Sequence, residues 1–434
     1  MNFLLKVKSV LENKFVNGSL WTFISFGIVG VAGLILQTLV TNTYGIANLG
    51  VYSQIVSFYA LFSCISVSGI ESSTLKHTSE YSKDKTALAI IYSSSQLLII
   101  VWSTLVLLAL SFTIYFLPNV FSSNEVRHGL LYVLPGIFLF ALNKNSNSFL
   151  SGLRNMKLYS LIKMLRWGSL MILTGILCIG RVDFIITLKC YTAVELMLFI
   201  IFVFINKEYI RFVNTSNKWY KIHFKYGAVS MVSVILSAVQ SNIMILISGY
   251  YLTLNETGLF SLLMMFSNVF LLVITTIQVN FNPVFAKDWA DGSIELINEK
   301  LSKIFRVTKY SAPLMFILAM ITFYVYDLFF INTEVNSIYY FAILSIGTVA
   351  VYLIGWTAPM LTMAGYIIGT MHRSILLSII QLVFPVILLP LFGFEGAIFS
   401  YLFVQIISVF IGVVFIKYYL KINLLKNFFY AKLG

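Results

Sequence analysis

Charge is what this chain has least of. Asp, Glu, Lys and Arg make up 10% of its 434 residues, against roughly 25% in soluble globular chains. With 59% hydrophobic residues and a mean hydropathy of +0.92, there is too little polar surface to coat a water-soluble particle of this size. The apolar excess has to face lipid. Cysteine is nearly absent. Cys64, Cys178 and Cys190 lie within or beside apolar segments without CxxC spacing, which argues against a disulfide framework and a thiolate metal site, and they read as small core residues. His77, His128, His223 and His372 fall in four separate connections, so no metal cluster is expected. Also missing are a Walker sequence, a GxSxG with triad partners, an HExxH and a Rossmann glycine motif. The chain reads as a non-enzyme without a cofactor. The apolar run from about Ser19 to Val40, behind Lys6, Lys8 and Lys14, is too long for a signal-peptide core and reads as a first membrane helix.

What is present is a series of apolar segments. About 20 apolar residues cross a hydrocarbon core, and on that criterion twelve spans are expected. They run at 17–41, 48–70, 88–116, 128–150, 158–179, 184–206, 226–249, 257–282, 309–331, 338–362, 373–392 and 394–418. Pro390 and Gly393 mark a very tight turn between the last two. The net charge of +13 would suggest nucleic acid on a soluble chain, but here the basic residues sit in short runs between spans and report topology. The connections on one side carry only Arg127 and Arg181, and four more cations fall inside spans. The other 23 of the 29 Lys and Arg lie on the opposite side with both termini, among them Arg154, Lys157, Arg211, Lys300 and Arg373. Basic segments stay in the cytoplasm during insertion, so both termini are expected there. No nucleic-acid partner is expected. The two longest polar stretches are 207–225 and 283–308. The second, with Ile294, Leu296, Ile297, Leu301, Ile304 and Phe305, reads as an amphipathic surface helix.

The chain repeats itself at half its length. Gly50-Val51-Tyr52-Ser53 matches Gly258-Leu259-Phe260-Ser261, and Leu153-Arg-Asn-Met156-Lys-Leu matches Ile368-Gly-Thr-Met371-His-Arg. Six spans per half give both halves the same orientation, as in parallel repeats related by an axis along the membrane normal. The expected architecture is therefore an all-α integral membrane protein. It has an N-terminal six-helix bundle over 1–215 and a C-terminal one over 216–434, facing each other across a central cavity.

Several motifs carry a family resemblance over the whole length. They are the glycine-punctuated block from Leu20 to Tyr52, its counterpart Glu256-Thr-Gly258-Leu-Phe260, and Leu389-Pro390-Leu-Phe-Gly393-Phe-Glu-Gly396-Ala397 before the last span. With the span count and halved symmetry, the chain resembles the multidrug/oligosaccharidyl-lipid/polysaccharide (MOP) exporter superfamily, and within it the polysaccharide (O-antigen) repeat-unit flippases of the Wzx type. It lacks the two further helices usual in peptidoglycan-precursor flippases. The resemblance implies a MATE-like fold in the bacterial inner membrane. It also implies export of an undecaprenyl-diphosphate-linked oligosaccharide to the outer leaflet by alternating access, with membrane lipid around it and a polysaccharide polymerase and chain-length machinery as partners.

Charges inside spans are the candidate site. An isolated charge costs roughly 2.5–3.5 kcal/mol at the centre of an inserting helix, so such residues face a wet cavity or a partner. Lys144, Lys163, Arg166 and Lys189 are the in-span cations and Glu195 is the clear acid. Tyr159, Lys163 and Arg166 share a helical face by i, i+4, i+7 spacing, and Lys144 sits in the polar run from Asn143 to Ser148. One reading makes these cations a diphosphate site, for which Arg suits bidentate contacts. The other has Lys144, Lys163 and Lys189 reaching to the interfaces and Arg166 paired with Glu195. Glu195 is either a counter-ion or a protonatable site coupling transport to an H+ or Na+ gradient. Glu71 reads as interfacial. Gln37 and Gln240 lie on small-residue stripes of the first and seventh spans and serve either close packing or sugar hydroxyls. A cation-coupled multidrug exporter needs buried carboxylates, and the excess of in-span cations favours an anionic substrate instead. A membrane glycosyltransferase or polymerase would cluster acids or arginines on a long loop, whereas Glu125, Asp183, Glu256, Asp327, Glu334 and Glu395 occupy separate short connections.

Overall fold

The computed structural model describes residues 14–210, 217–331 and 337–429. Lys6, Lys8, Arg211, Glu334 and the expected domain boundary at 215/216 lie outside the described residues. The order of elements is α1 (Lys14–Val67), α2 (Ile70–Glu80), α3 (Lys85–Phe116), α4 (Asn124–Gly152), α5 (Met156–Ile179), α6 (Phe184–Thr187), α7 (Lys189–Ile205), α8 (Asn217–Tyr251), α9 (Leu254–Ser267), α10 (Val269–Ala290), α11 (Ile294–Tyr326), α12 (Ser337–Ile354), α13 (Met360–Met363), α14 (Ile367–Leu420) and α15 (Leu424–Phe429). No strand occurs among the described residues.

Among the described residues, nine helices are long and apolar enough to cross a membrane. Two of them are double. A straight 54-residue helix would be about 81 Å long, far beyond a hydrocarbon core of about 30 Å. Both are broken at glycine, α1 at Gly45 (φ 83°) and α14 at Gly393 (φ 54°), in the half of backbone space that L side chains avoid. The chain turns back at each break. Val29 and Ala60, on opposite limbs of α1, line one cleft. Phe384 and Phe403, on opposite limbs of α14, meet with ring centroids 6.1 Å apart. Each double helix therefore supplies two of the expected spans. The expected span 257–282 lies across α9 and α10, which join at Asn268.

Contacts divide the chain into two units. The first holds residues up to Tyr44 and Val51–Asn242; the second holds Gly45–Gly50 and Ile243–Gly434. The first part of α8 belongs to the first unit because its small face packs there. A Cβ on Gly227 would stand 3.2 Å from the Ser68 carbonyl and 3.1 Å from Ile70. Trp219 meets His77 at 5.3 Å.

In the first unit, Val67, Ile70, Ile99 and Leu142 form one apolar core, and Leu88, Tyr92 and Phe149 a second. In the second unit, Trp356 is fully buried between Phe281 and Phe305, both with centroids at 5.2 Å. The stretch expected as an amphipathic surface helix is not a separate element. Residues 294–308 run without interruption into the following span as one helix, α11. Ile297, Leu301 and Phe305 on it are 1%, 0% and 0% exposed, because that face closes the core around Trp356.

The glycines of the internal repeat meet inside the second unit. A Cβ on Gly50 would stand 2.1 Å from the Leu254 carbonyl, and one on Gly258 the same 2.1 Å from the Ile46 carbonyl. Each glycine lies against the carbonyl four residues before the other.

Candidate functional site: a charged cleft in the first unit

Both limbs of α1, with α4, α5 and α7, surround a cleft of about 340 Å³. α5 brings Lys163 and Arg166 to it from one helical face, α7 brings Tyr191 and Glu195, and α1 brings Tyr59. Glu195 is 2% exposed and is held from three sides. Arg166 Nε lies 2.7 Å from its Oε1, and the Arg166 Nη2 donates to Oε2 at 3.1 Å. The Asn143 amide donates to Oε2 at 2.7 Å and to the Glu195 backbone carbonyl at 2.8 Å. The Tyr59 hydroxyl donates to Oε1 at 3.5 Å. Phe140 covers the guanidinium at 4.7 Å. A row of tyrosines leads on from this carboxylate. The rings of Tyr59 and Tyr191 are 5.0 Å apart, and the hydroxyls of Tyr191 and Tyr52 are 2.6 Å apart.

The cations expected to form one patch are distributed differently. Lys144 is paired with Glu71 at 3.3 Å. Glu71 is not interfacial as its position suggests: it is 6% exposed, and the lysine supplies the charge that makes its burial tolerable. Cys64, which lines the cleft, lies within electrostatic reach of both. Lys163 sits 4.9 Å from the ring of Tyr159, one turn before it. Lys189 is exposed and stands over Tyr132 at 5.1 Å. The structure thus brings Lys163, Arg166 and Glu195 into one cleft and places Lys144 and Lys189 outside its lining. Gln37 and Gln240 are half-buried and are not cleft-lining side chains either. The Gln37 Oε1 is buried without a hydrogen-bond partner among the described residues.

Sequence reasoning missed what the polar run of α4 does. Asn143 clamps Glu195. Asn145 donates to Ser95 Oγ at 2.9 Å and accepts from Thr74 at 2.7 Å. Ser146 bonds Tyr92 at 2.8 Å and accepts from Gln96 at 2.7 Å. Three side chains at i, i+2 and i+3 thereby tie α4 to α2, α3 and α7. In hydrocarbon, unsatisfied polar groups are costly, so a run of Asn and Ser inside a span signals such interhelical bonding. Two of the four histidines also meet, His77 and His223, with rings 6.2 Å apart, where α2 packs on α8. Cys178 and Cys190 are buried and Cys64 half-buried, all as free thiols. Several acids on the short connections have local partners. Asp183 caps α6, Glu256 completes a capping box with Thr253, and Asp327 accepts from Ser337 at 2.9 Å.

A model of polysaccharide biosynthesis proteins matches residues 15–289, more than half of the chain. The chain belongs to the polysaccharide biosynthesis protein family. No curated protein matches it by sequence. Among solved structures, this polysaccharide biosynthesis protein is similar to an inward-facing multidrug resistance MATE family transporter of the MOP superfamily (TM-score 0.75, 15% identity, 92% of this chain and 96% of that one). It is similar also to the lipid II flippase MurJ in an inward closed conformation (TM-score 0.73, 14% identity, 96% and 90%). A third is a MOP superfamily transporter from Pyrococcus furiosus, described as having a binding pocket of reverse polarity that suggests a different function (TM-score 0.61, 13% identity, 92% and 94%). At these identities the likeness shows the fold. The family member described here is a multi-pass membrane protein with the fold of MOP transporters.

Proposed function

We propose that this protein is a flippase. Its substrate is an undecaprenyl-diphosphate-linked oligosaccharide, a repeat unit of O-antigen or a related surface polysaccharide. It moves that substrate from the cytoplasmic to the outer leaflet of a bacterial inner membrane by alternating access, with both termini in the cytoplasm. The observation that carries the reading is the charge of the cleft: Lys163 and Arg166 face it against a single acid, Glu195. Two cations on the wall of one cleft favour an anionic group such as a diphosphate. Membership of the polysaccharide biosynthesis family supports the sugar part of the substrate, and the fold shared with a lipid II flippase supports a lipid-linked one. In this reading Lys163 is the primary diphosphate contact, and Arg166 contributes while held by Glu195. Lys144, Lys189, Gln37 and Gln240 complete the path outside the cleft. Glu195 is the group through which an H+ or Na+ gradient would act, by releasing Arg166 when neutralised. A polymerase and chain-length machinery would receive the product.

The rival is a multidrug exporter taking organic cations. It would need a carboxylate open to the ligand, and Glu195 is already occupied by Arg166 and Asn143. The deciding experiment is transbilayer movement of an undecaprenyl-diphosphate oligosaccharide in proteoliposomes. Protein-dependent movement that is lost in Lys163→Ala supports the proposal. Efflux of a cationic dye, with no movement of any lipid-linked sugar, overturns it in favour of the rival.

A further inference from the structure

A second cavity of the first unit has the opposite character. It is a cleft of about 350 Å³ between α3 and α8, floored by the break between α1 and α2. α3 contributes Leu98, Val101, Trp102 and Leu105, spaced i, i+3, i+4, i+7, and α8 contributes a stripe of the same spacing from Phe224 to Met231. Two apolar stripes of this kind ordinarily zip together. Here α8 is seated instead on the break, where Gly227 lies against Ser68 and Ile70, and the stripes stay apart. The walls offer almost nothing polar. The indole N–H of Trp102 donates to the Ile65 carbonyl at 2.9 Å, and Ser68 Oγ donates to the same carbonyl at 2.6 Å. Val101, Leu105 and Phe224 are 60%, 54% and 61% exposed, so the groove opens sideways.

One end of the groove is basic. Lys221 stands one turn before Phe224, Lys225 follows it, and both are exposed with no ion-pair partner among the described residues. Lys76 lies 5.2 Å from the ring of the adjacent Tyr226. A dry lateral channel capped by lysines matches a long hydrocarbon chain that ends in a multiply charged phosphate. We infer that this groove holds the polyprenyl chain of the lipid-linked substrate, with the diphosphate at Lys221 and Lys225 before the headgroup moves to the charged cleft. The inference rests on the flippase reading and adds where the lipid is held. The source is the polyprenyl diphosphate rather than a bilayer phospholipid. The lysine cap rewards the higher phosphate charge, since attraction between basic residues and an anionic headgroup grows with the headgroup's charge.

The test uses the full-length protein in phosphatidylethanolamine vesicles with undecaprenyl diphosphate bearing a diazirine at the far end of its chain. Photolabel is expected in the peptides holding Leu98–Leu105 and Phe224–Met231. Unlabelled undecaprenyl diphosphate should compete about tenfold better than phosphatidylglycerol, a difference readily resolved in affinity. Ala228→Trp, which fills the groove, should abolish labelling. Val229→Trp, which adds the same bulk at the neighbouring position, 75% exposed, should not, and this control separates filling from misfolding. Lys221→Glu with Lys225→Glu should weaken labelling about tenfold. Label elsewhere on the chain, or equal competition by phosphatidylglycerol, overturns the inference. Translocation measured in the same vesicles separates the two ideas. Wild-type movement of the lipid-linked sugar with label outside the groove defeats only the groove. No movement at all defeats the flippase reading.

Discussion

Removing the Glu195 carboxylate leaves Arg166 as a buried cation without its anion. The pair is tight, with contacts at 2.7 and 3.1 Å, and its side chains are 15% and 3% exposed. Breaking a buried pair from one side costs about 3–5 kcal/mol, so Glu195→Leu should lie in that range. Arg166→Leu should cost less, about 2 kcal/mol, because Asn143 still donates to the carboxylate and a hydrogen bond to a charged group is worth about 1.5–3 kcal/mol. The double variant removes both charges together. The Asn143 amide keeps its bond to the residue 195 backbone carbonyl, and apolar replacement of a buried pair is often neutral. Its stability should therefore return to within about 1 kcal/mol of wild type. The assay is reversible unfolding in mixed dodecyl maltoside and SDS micelles, followed by tryptophan fluorescence, since Trp167 lines the same cleft. A coupling energy above about 2 kcal/mol is expected, and additivity within about 0.5 kcal/mol would refute the pairing argument. Translocation by the double variant then separates two roles. A stable double variant that still transports means Arg166 serves only Glu195. A stable one that fails means that one of the pair also acts on substrate or coupling ion.

Three further outcomes are expected. Lys163→Ala should lower translocation about tenfold or more, whereas Lys163→Arg, which keeps the charge, should retain most of it; equal loss in both would point to packing rather than charge. Lys144→Met should destabilise the protein by about 3–5 kcal/mol by stranding Glu71, and Glu71→Gln in the same chain should restore most of that in the same unfolding assay. Gly50→Ala and Gly258→Ala should each reduce stability by about 1–3 kcal/mol through overpacking and to a similar extent, because their added Cβ atoms meet reciprocal carbonyls at 2.1 Å; an unchanged midpoint in either would contradict that crossing.

The spans were legible because lipid sets their length and composition residue by residue. The turn at Gly393 was legible because few residue types suit such a break in a span. The repeat was visible as two short glycine blocks, and these are the backbones that touch. The fate of the charges was not legible. Arg166 and Glu195 are 29 residues apart in sequence, and an in-span lysine looks the same whether it meets a substrate, an interface or a buried glutamate. Glu71 was misread for that reason: its partner, Lys144, is on another helix.

By itself, then, the sequence determined that this is an all-helical membrane protein and roughly where its spans lie. Those properties are local sums over hydropathy and charge. Only the tertiary structure decided which cations share a cleft and which lie elsewhere, what the Asn and Ser of α4 hold together, and that two apolar stripes stay apart to form a groove. Pairing and packing depend on which helices meet, and in a chain apolar nearly all round, periodicity alone does not specify that.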